Sequence, residues 1–146
     1  MAVGDRTDPY LGFNFLVEIE GLVVGGFTEV TGLDAELEVE TFREGGQNSF
    51  MHKLPGALKY PNNLTLKRGL TDSETFWTWY QDVARGVIER RNGSVVLKDA
   101  AGNEAWRWNF SGAYPVKWTG PSLRASGNDV AIETLELAHN GLLKGT

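Results

Sequence analysis

NLTLKRGLTDSETFWTWYQDVARGVIERRNGSVVLKD, residues 63–99, decides the fold: it reads as strand, helix, strand. Thr71, Asp72, Ser73 and Glu74 spell a capping box, with the Thr71 hydroxyl accepting from the backbone near Glu74 while the Glu74 side chain reaches back. That predicts where a helix begins. Phe76, Tyr80 and Val83 recur at helical spacing with Trp77 and Ala84 beside them, so one apolar stripe must be covered by another element. Gly86 predicts the stop, because glycine takes the left-handed conformation that ends a helix without a side-chain clash. Leu64 and Leu66 alternate with Thr65 and Lys67 before the helix. After it, Asn92-Gly93 signals a tight turn and Ser94 to Asp99 a strand centred on Val95, Val96 and Leu97. Every other long segment reads as strand or turn, so the expectation is a mainly β protein with one flanking helix.

The chain of 146 residues is expected to be a single domain, 1–146, able to bury about two thirds of its unfolded surface. Fourteen basic against nineteen acidic residues give a formal charge of −5, which argues against general nucleic-acid binding. The absence of cysteine excludes a disulfide framework, a thiolate metal site and a cysteine nucleophile. No apolar run approaches the ~18 residues of a membrane span, and the first residues lack the apolar core of a signal peptide, so folding in the cytoplasm is expected. The triplets at Asn63, Asn92 and Asn109 fit a glycosylation pattern but read as chance or turn residues in that setting.

Upstream, residues 1–12 are polar and read as a flexible arm. Phe13, Phe15, Val17 and Ile19 alternate with Asn14, Leu16, Glu18 and Glu20, which predicts a strand. Gly21 turns the chain, Gly25-Gly26 marks a kink, Phe27 to Thr31 is a strand and Gly32 ends it. Asp34 to Phe42 shows the cleanest alternation, with Asp34, Glu36, Glu38 and Glu40 on one face and Ala35, Leu37, Val39 and Thr41 on the other. Four carboxylates on one face must meet water unless each has a partner. Acid-base chemistry or a hard metal site is the competing reading, and nothing nearby supplies a nucleophile, a histidine or an EF-hand spacing.

Arg43 to Asn62 has no sustained period and is expected to be a long loop, 43–62. Phe50, Met51, Leu54, Leu58 and Tyr60 would be wasted on a solvated linker, so the segment either orders against a partner surface or folds back as a hairpin on its own domain. Downstream, Ala100 to Asn103 makes a hairpin, and Glu104 to Gly112 carries Trp106, Trp108 and Phe110 on one face. Pro115 predicts an edge or a bend, with Val116, Lys117 and Trp118 beyond it. Asp129 to His139 is the last strand, with Ile132, Leu135 and Leu137 its core candidates.

Catalytic signatures are missing: there is no phosphate-binding glycine loop, nucleophile elbow or HExxH, and only His52 and His139 as histidines. No catalytic, cofactor-binding or metal-ligating residue is assigned. The Trp106, Trp108 and Phe110 stripe, followed by Tyr114 and Trp118, suits either a core floor for the helix or a stacking platform for sugars or single-stranded nucleic acid. A structural or assembly protein is the leading class, and a carbohydrate-binding β-sandwich with an aromatic platform is the alternative. Several long strands leave sheet edges to be managed, and a ring that continues the sheet across subunits removes them.

The motifs DPYLGFNFLVEIEG, GGFTEVTGLDAELEVETFREGG, KLPGALKYPNNLTLKRGLTD, WYQDV with ERRNGSVVLKD, WNFSGAYPVKWTGP and ASGNDVAIETLELAHNGL cover nearly the whole chain in order. In that order and spacing the sequence resembles the tail tube family of contractile phage tails and extracellular contractile injection systems. The resemblance implies two packed antiparallel sheets, a β-sandwich or barrel with a helix on the flank. Strands of each subunit would complete an inter-subunit β-barrel in a hexameric ring, and rings would stack into an inner tube. Implied partners are further copies of the chain, a sheath protein, baseplate or hub and tube-terminating proteins, and a lumen cargo of effector protein or DNA. The particle, a phage tail or an injection machine, would be assembled in the bacterial cytoplasm and then released or membrane-attached. On this resemblance the long loop is expected to be the inter-subunit and inter-ring interface, through Arg43, Glu44, Phe50, Met51, Lys53, Leu54, Pro55, Leu58 and Tyr60. Asp34, Glu36, Glu38 and Glu40 are candidates for the lumen wall, and Asp82 and Arg85 for a sheath-facing surface.

Overall fold

The computed structural model describes residues 9–12, 14–22, 27–42 and 52–145. The element order is β1 (Phe15–Ile19), β2 (Phe27–Thr31), β3 (Glu36–Phe42), β4 (His52–Lys59), β5 (Leu64–Gly69), α1 (Thr75–Ala84), β6 (Arg91–Lys98), β7 (Glu104–Thr119), β8 (Ile132–Ala138) and β9 (Gly141–Lys144). All pairings are antiparallel. The strands β1-β6-β7-β8-β5-β2 follow one another in a seven-stranded sheet with β9 also on β7, and β3 pairs with β4 in a separate two-stranded ribbon.

The two expected layers are therefore one sheet folded over a shared strand. β7 is 16 residues long and pairs with β6 and β9 through its first half and with β8 through its second. Pro115 was expected to mark an edge or a bend, and the half of β7 that carries it, 114–119, does pair with β8 alone among the described residues. The strand does not end there: Pro115 sits inside it, fully buried, at a register shift between Pro115 and Lys117, where a bulge tolerates the missing N–H. β8 and β9 run along β7 as nearly one strand, because the Asn140 N–H donates to the Ser111 carbonyl across the interruption at 2.8 Å.

Two further turn and strand expectations change. Asn92-Gly93 is not a turn: both residues lie within β6, and Gly93 is opposite Phe110, whose ring lies so close that a Cβ on Gly93 would stand 2.4 Å from it. The glycine serves close packing rather than chain reversal. Residues 52–59, expected within an unpatterned loop, form β4.

The helix begins later than a Thr71 cap would place it. Its N-cap is Glu74 without a side-chain bond, and the Thr71 hydroxyl instead accepts from the Ser73 N–H at 3.2 Å, a local turn. Gly86, with φ +92°, does follow the helix end. The buried positions of the stripe are Phe76 and Trp79, with Tyr80 and Val83 half-buried, and the Trp79 indole donates to the Glu89 carbonyl at 2.9 Å.

The core joins Val17, Ile19, Val95 and Phe110 of one layer to Leu64, Leu66, Leu135 and Leu137 of the other, with Phe76 and Trp79 from the helix. On β8 the alternation places Glu133 inward with Leu135 and Leu137, and leaves Ile132 half-buried. Glu133 is 2% exposed and faces Arg68 of β5 at 3.3 Å, while the Trp118 indole donates to it at 3.1 Å and the Arg68 guanidinium stacks on Phe76. A buried pair of this kind is costly to break and cheap to replace. Glu133→Ala is expected to destabilise the subunit by about 3–5 kcal/mol in urea unfolding, whereas the double change Arg68→Met with Glu133→Leu is expected to be near neutral or stabilising.

Candidate assembly interface

The ribbon continues the β2 and β5 pair. Thr31 faces Thr65 at the end of that ladder and Glu36 faces Lys59 at the start of the next, so β2 runs on into β3, and β4 into β5. The junction is tightly made. Gly32 adopts φ +94°, and a Cβ there would collide with the Asn63 carbonyl. Asn62 donates to Asp34 at 2.5 Å. Asp34 thus knits the ribbon's base and is not part of β3, which starts at Glu36.

The register decides which side chains share a ribbon face, because residues directly opposite in an antiparallel ladder point the same way. Leu37 faces Leu58, and Val39 faces Pro55; Glu36 faces Lys59, and Glu40 faces Leu54. One extra residue on β4 between these pairs, beside Gly56, forms a bulge, so Leu54 and Leu58 lie on opposite faces. One face is apolar, with Leu37, Val39, Pro55 and Leu58. The other carries Glu36, Glu38 and Glu40, with Lys59 bridging to Glu38 at 3.6 Å.

Both faces carry exposed side chains. Leu37 is 54% exposed, Val39 63%, Leu54 47% and Leu58 56%. A two-stranded ribbon is marginal alone in water, and a contiguous exposed apolar face of this kind marks an interaction surface. The expected interface residues Lys53, Leu54, Pro55 and Leu58 stand on this ribbon. Arg43, Glu44, Phe50 and Met51 lie outside the described residues. Tyr60 is at the base and half-buried within its own subunit, with its ring 5.4 Å from that of His139 and its edge over Gly141. Alternation puts Leu37 and Val39 on one side of a strand without saying whether a partner for them exists in the same chain.

The second open feature is the pair of sheet edges. In the layer β2-β5-β8-β7, β2 bonds only to β5, and residues 114–119 of β7 bond only to β8 among the described residues. Each leaves a row of unpaired backbone groups. The face of this layer turned away from the helix carries Thr31, Thr65, Thr119 and Thr134 with two ion pairs, Lys67 to Glu29 at 2.9 Å and Lys117 to Glu136 at 3.9 Å. Asp82 and Arg85 sit on the helix and pair with one another at 2.7 Å.

A stacking platform is not formed. Phe110 is buried, Trp118 packs edge-on against Trp77, and Trp106 and Trp108 tilt by 39° with Lys144 over the Trp106 ring. Among the described residues no cluster of histidine and carboxylate side chains is arranged to hold a metal ion.

Burial holds the His139 imidazole below its ordinary pKa; neither ring nitrogen has a well-formed hydrogen bond, and the Gly141 backbone offsets burial only in part. The folded chain thus resists a proton that the unfolded chain accepts. Its contribution to stability is complete above about pH 6.5 and is lost as the pH falls through the lower folded value. Urea midpoints measured from about pH 8 to about pH 5 should fall on the acid side, and His139→Gln should flatten that fall.

The family model described as T4-like virus tail tube protein gp19 matches residues 11–143. Among solved structures, the chain is similar to a protein in the sixfold-symmetrised cryo-EM structure of the anti-feeding prophage baseplate, at 27% identity over 95% of this chain and 97% of that one, with a TM-score of 0.84. It is similar to one in the extended PVC sheath-tube complex of an extracellular contractile injection system, at 26% identity, 94% and 91% coverage and a TM-score of 0.82. A third similarity is to a protein in the cryo-EM structure of the anti-feeding prophage tube-terminating cap, at 26% identity, 100% and 99% coverage and a TM-score of 0.85. Among curated proteins no match was found.

Proposed function

The chain belongs to the T4-like virus tail tube protein family and has a structural inner-tube role, and from that premise we propose that its copies close into a hexameric ring by joining the β2 edge of one subunit to residues 114–119 of β7 on the next. The observation that carries this reading is the four-stranded layer with a free edge at each end. Its strands alternate in direction, so β2 and β7 run oppositely and the new joint is antiparallel like the rest. Two different edges meet, and a head-to-tail joint of that type makes a ring when its rotation closes. Closure pairs the backbone groups of these two edges, which the monomer leaves open.

The bulkier side of the layer carries the helix and the second layer, and the wider outer circumference accommodates it. The threonine-rich, ion-paired side then lines the lumen, and Asp82 and Arg85 on the helix face outward towards a sheath. The ribbon docks its apolar face on a neighbouring copy within the ring or in the stacked ring. Its carboxylate face, Glu36, Glu38 and Glu40, remains in the water of the lumen, with Asp34 at its base, where like charge discourages an acidic cargo from sticking. Baseplate and terminating proteins cap the stack, and the cargo is an effector protein or DNA. The particle is assembled in the cytoplasm of a bacterium. The work of the chain in this reading is mechanical, without catalysis.

Negative-stain microscopy of the purified protein tests the assembly, with sixfold rings or hollow tubes expected. Leu37→Asp combined with Leu58→Asp should leave a folded subunit, since both side chains are exposed, and should abolish tubes; normal tubes would remove the ribbon from the assembly. Neutralising Glu36, Glu38 and Glu40 to glutamine should leave tubes intact and alter cargo loading. Loss of sheath attachment with loading unchanged would place that face outside.

A further inference from the structure

We propose that Trp77 of each copy inserts into an apolar groove at the β2 edge of its neighbour, so that the lateral joint is an indole-in-groove contact as well as a strand pairing. The inference rests on the edge-joining reading of the ring and adds its side-chain determinant. The groove is an opening of about 280 Å3 where the two layers part beside β2, lined by Phe15, Val30, Leu33, Val95, Leu97 and Trp108, with Thr28 and Glu29 at its rim. An apolar cleft of this kind loses free energy to water until an apolar group fills it.

The knob lies at the other end of the layer. Trp77 is 39% exposed although it is one of the largest apolar side chains in the chain. Its ring is held by two others, with Trp118 edge-on at 4.8 Å between centroids and Tyr80 stacked at 6.0 Å. Trp118 belongs to the free-edged half of β7 and shares its inward face with Leu135 opposite it. Val30, at the groove, shares the inward face with Leu66 opposite it. Knob and groove therefore lie on the same side of one layer, at its two free edges, with β5 and β8 between them. A subunit cannot fill its own groove with its own Trp77. When the β2 edge of one copy meets the β7 edge of the next, the neighbour's indole comes to the groove mouth from the side that the joined sheet continues. A rigid, partly desolvated tryptophan is the residue type that most often dominates such contacts.

The chain contains no cysteine, so paired single cysteines report contacts without background. Tubes of the double variant Trp77→Cys with Leu33→Cys, treated with a short bismaleimide, should give a ladder of covalent multimers up to the hexamer on a denaturing gel. Thr31→Cys with Thr119→Cys reports the strand joint separately. Cross-linking of both pairs supports the proposal. Cross-linking of the strand pair alone overturns the groove contact and leaves the ring reading standing, and cross-linking of neither pair in assembled tubes overturns both. A second measurement covers loss of assembly in the cysteine variants. Trp77→Ala, shown to be folded by circular dichroism, should raise the concentration needed for tube growth by about tenfold or more, with Trp77→Phe restoring most of it. Tube growth of Trp77→Ala at the wild-type concentration would overturn the proposal.

Discussion

The structure depends on the continuity of β7. A single strand of 16 residues bonds to β6 and β9 in one layer and to β8 in the other, so the two layers cannot slide or separate without breaking one ladder. The bulge at Pro115 lets the strand change layers without ending: proline removes one donor, and the register shift leaves no partner waiting for it. Glu133 and Arg68 pair across the adjoining strands under the helix, and Trp118 on β7 supplies the remaining donor to the carboxylate. The tryptophan thereby ties the polar pair to the strand that organises both layers.

A second consequence of the same topology lies outside the core. With β7 in the middle, the layer that carries β2, β5 and β8 ends in two edges left free among the described residues, and the β2 and β5 pair runs on into a ribbon whose apolar side chains are exposed. Unpaired edges and exposed leucines are liabilities in a monomer. They are requirements in a subunit whose final burial is completed by copies of itself, and the family to which the chain belongs has that role.

Alternation and turn chemistry made much of the fold legible. Val17 and Ile19, Leu64 and Leu66, and Leu135 and Leu137 are inward as period-two reasoning has them, and Gly21, Gly32, Gly86 and Gly102 all take positive φ. Failures came where tertiary contact overrode a local signal. Asn92-Gly93 has the composition of a hairpin turn, yet the Phe110 ring claims the space above the glycine. The helix stripe was placed on Tyr80 rather than Trp79, because at this short length both spacings fit one face, and a floor at Arg91 and a carbonyl at Glu89 select Trp79.

The sequence by itself determined the class: a mainly β chain with one short helix, no cysteine, a strand with carboxylates along one face and apolar residues too many for a linker. Those properties follow from residue type and period, which are local. Only the tertiary structure decided that 52–59 is a strand and that its bulge sends Leu54 and Leu58 to opposite faces. Only it showed that β2 and the second half of β7 are the two edges of the β2-β5-β8-β7 layer, among the described residues. Strand order and register are relations between segments far apart in the chain, and a period of two specifies which side chains share a face without specifying which strand lies beside it.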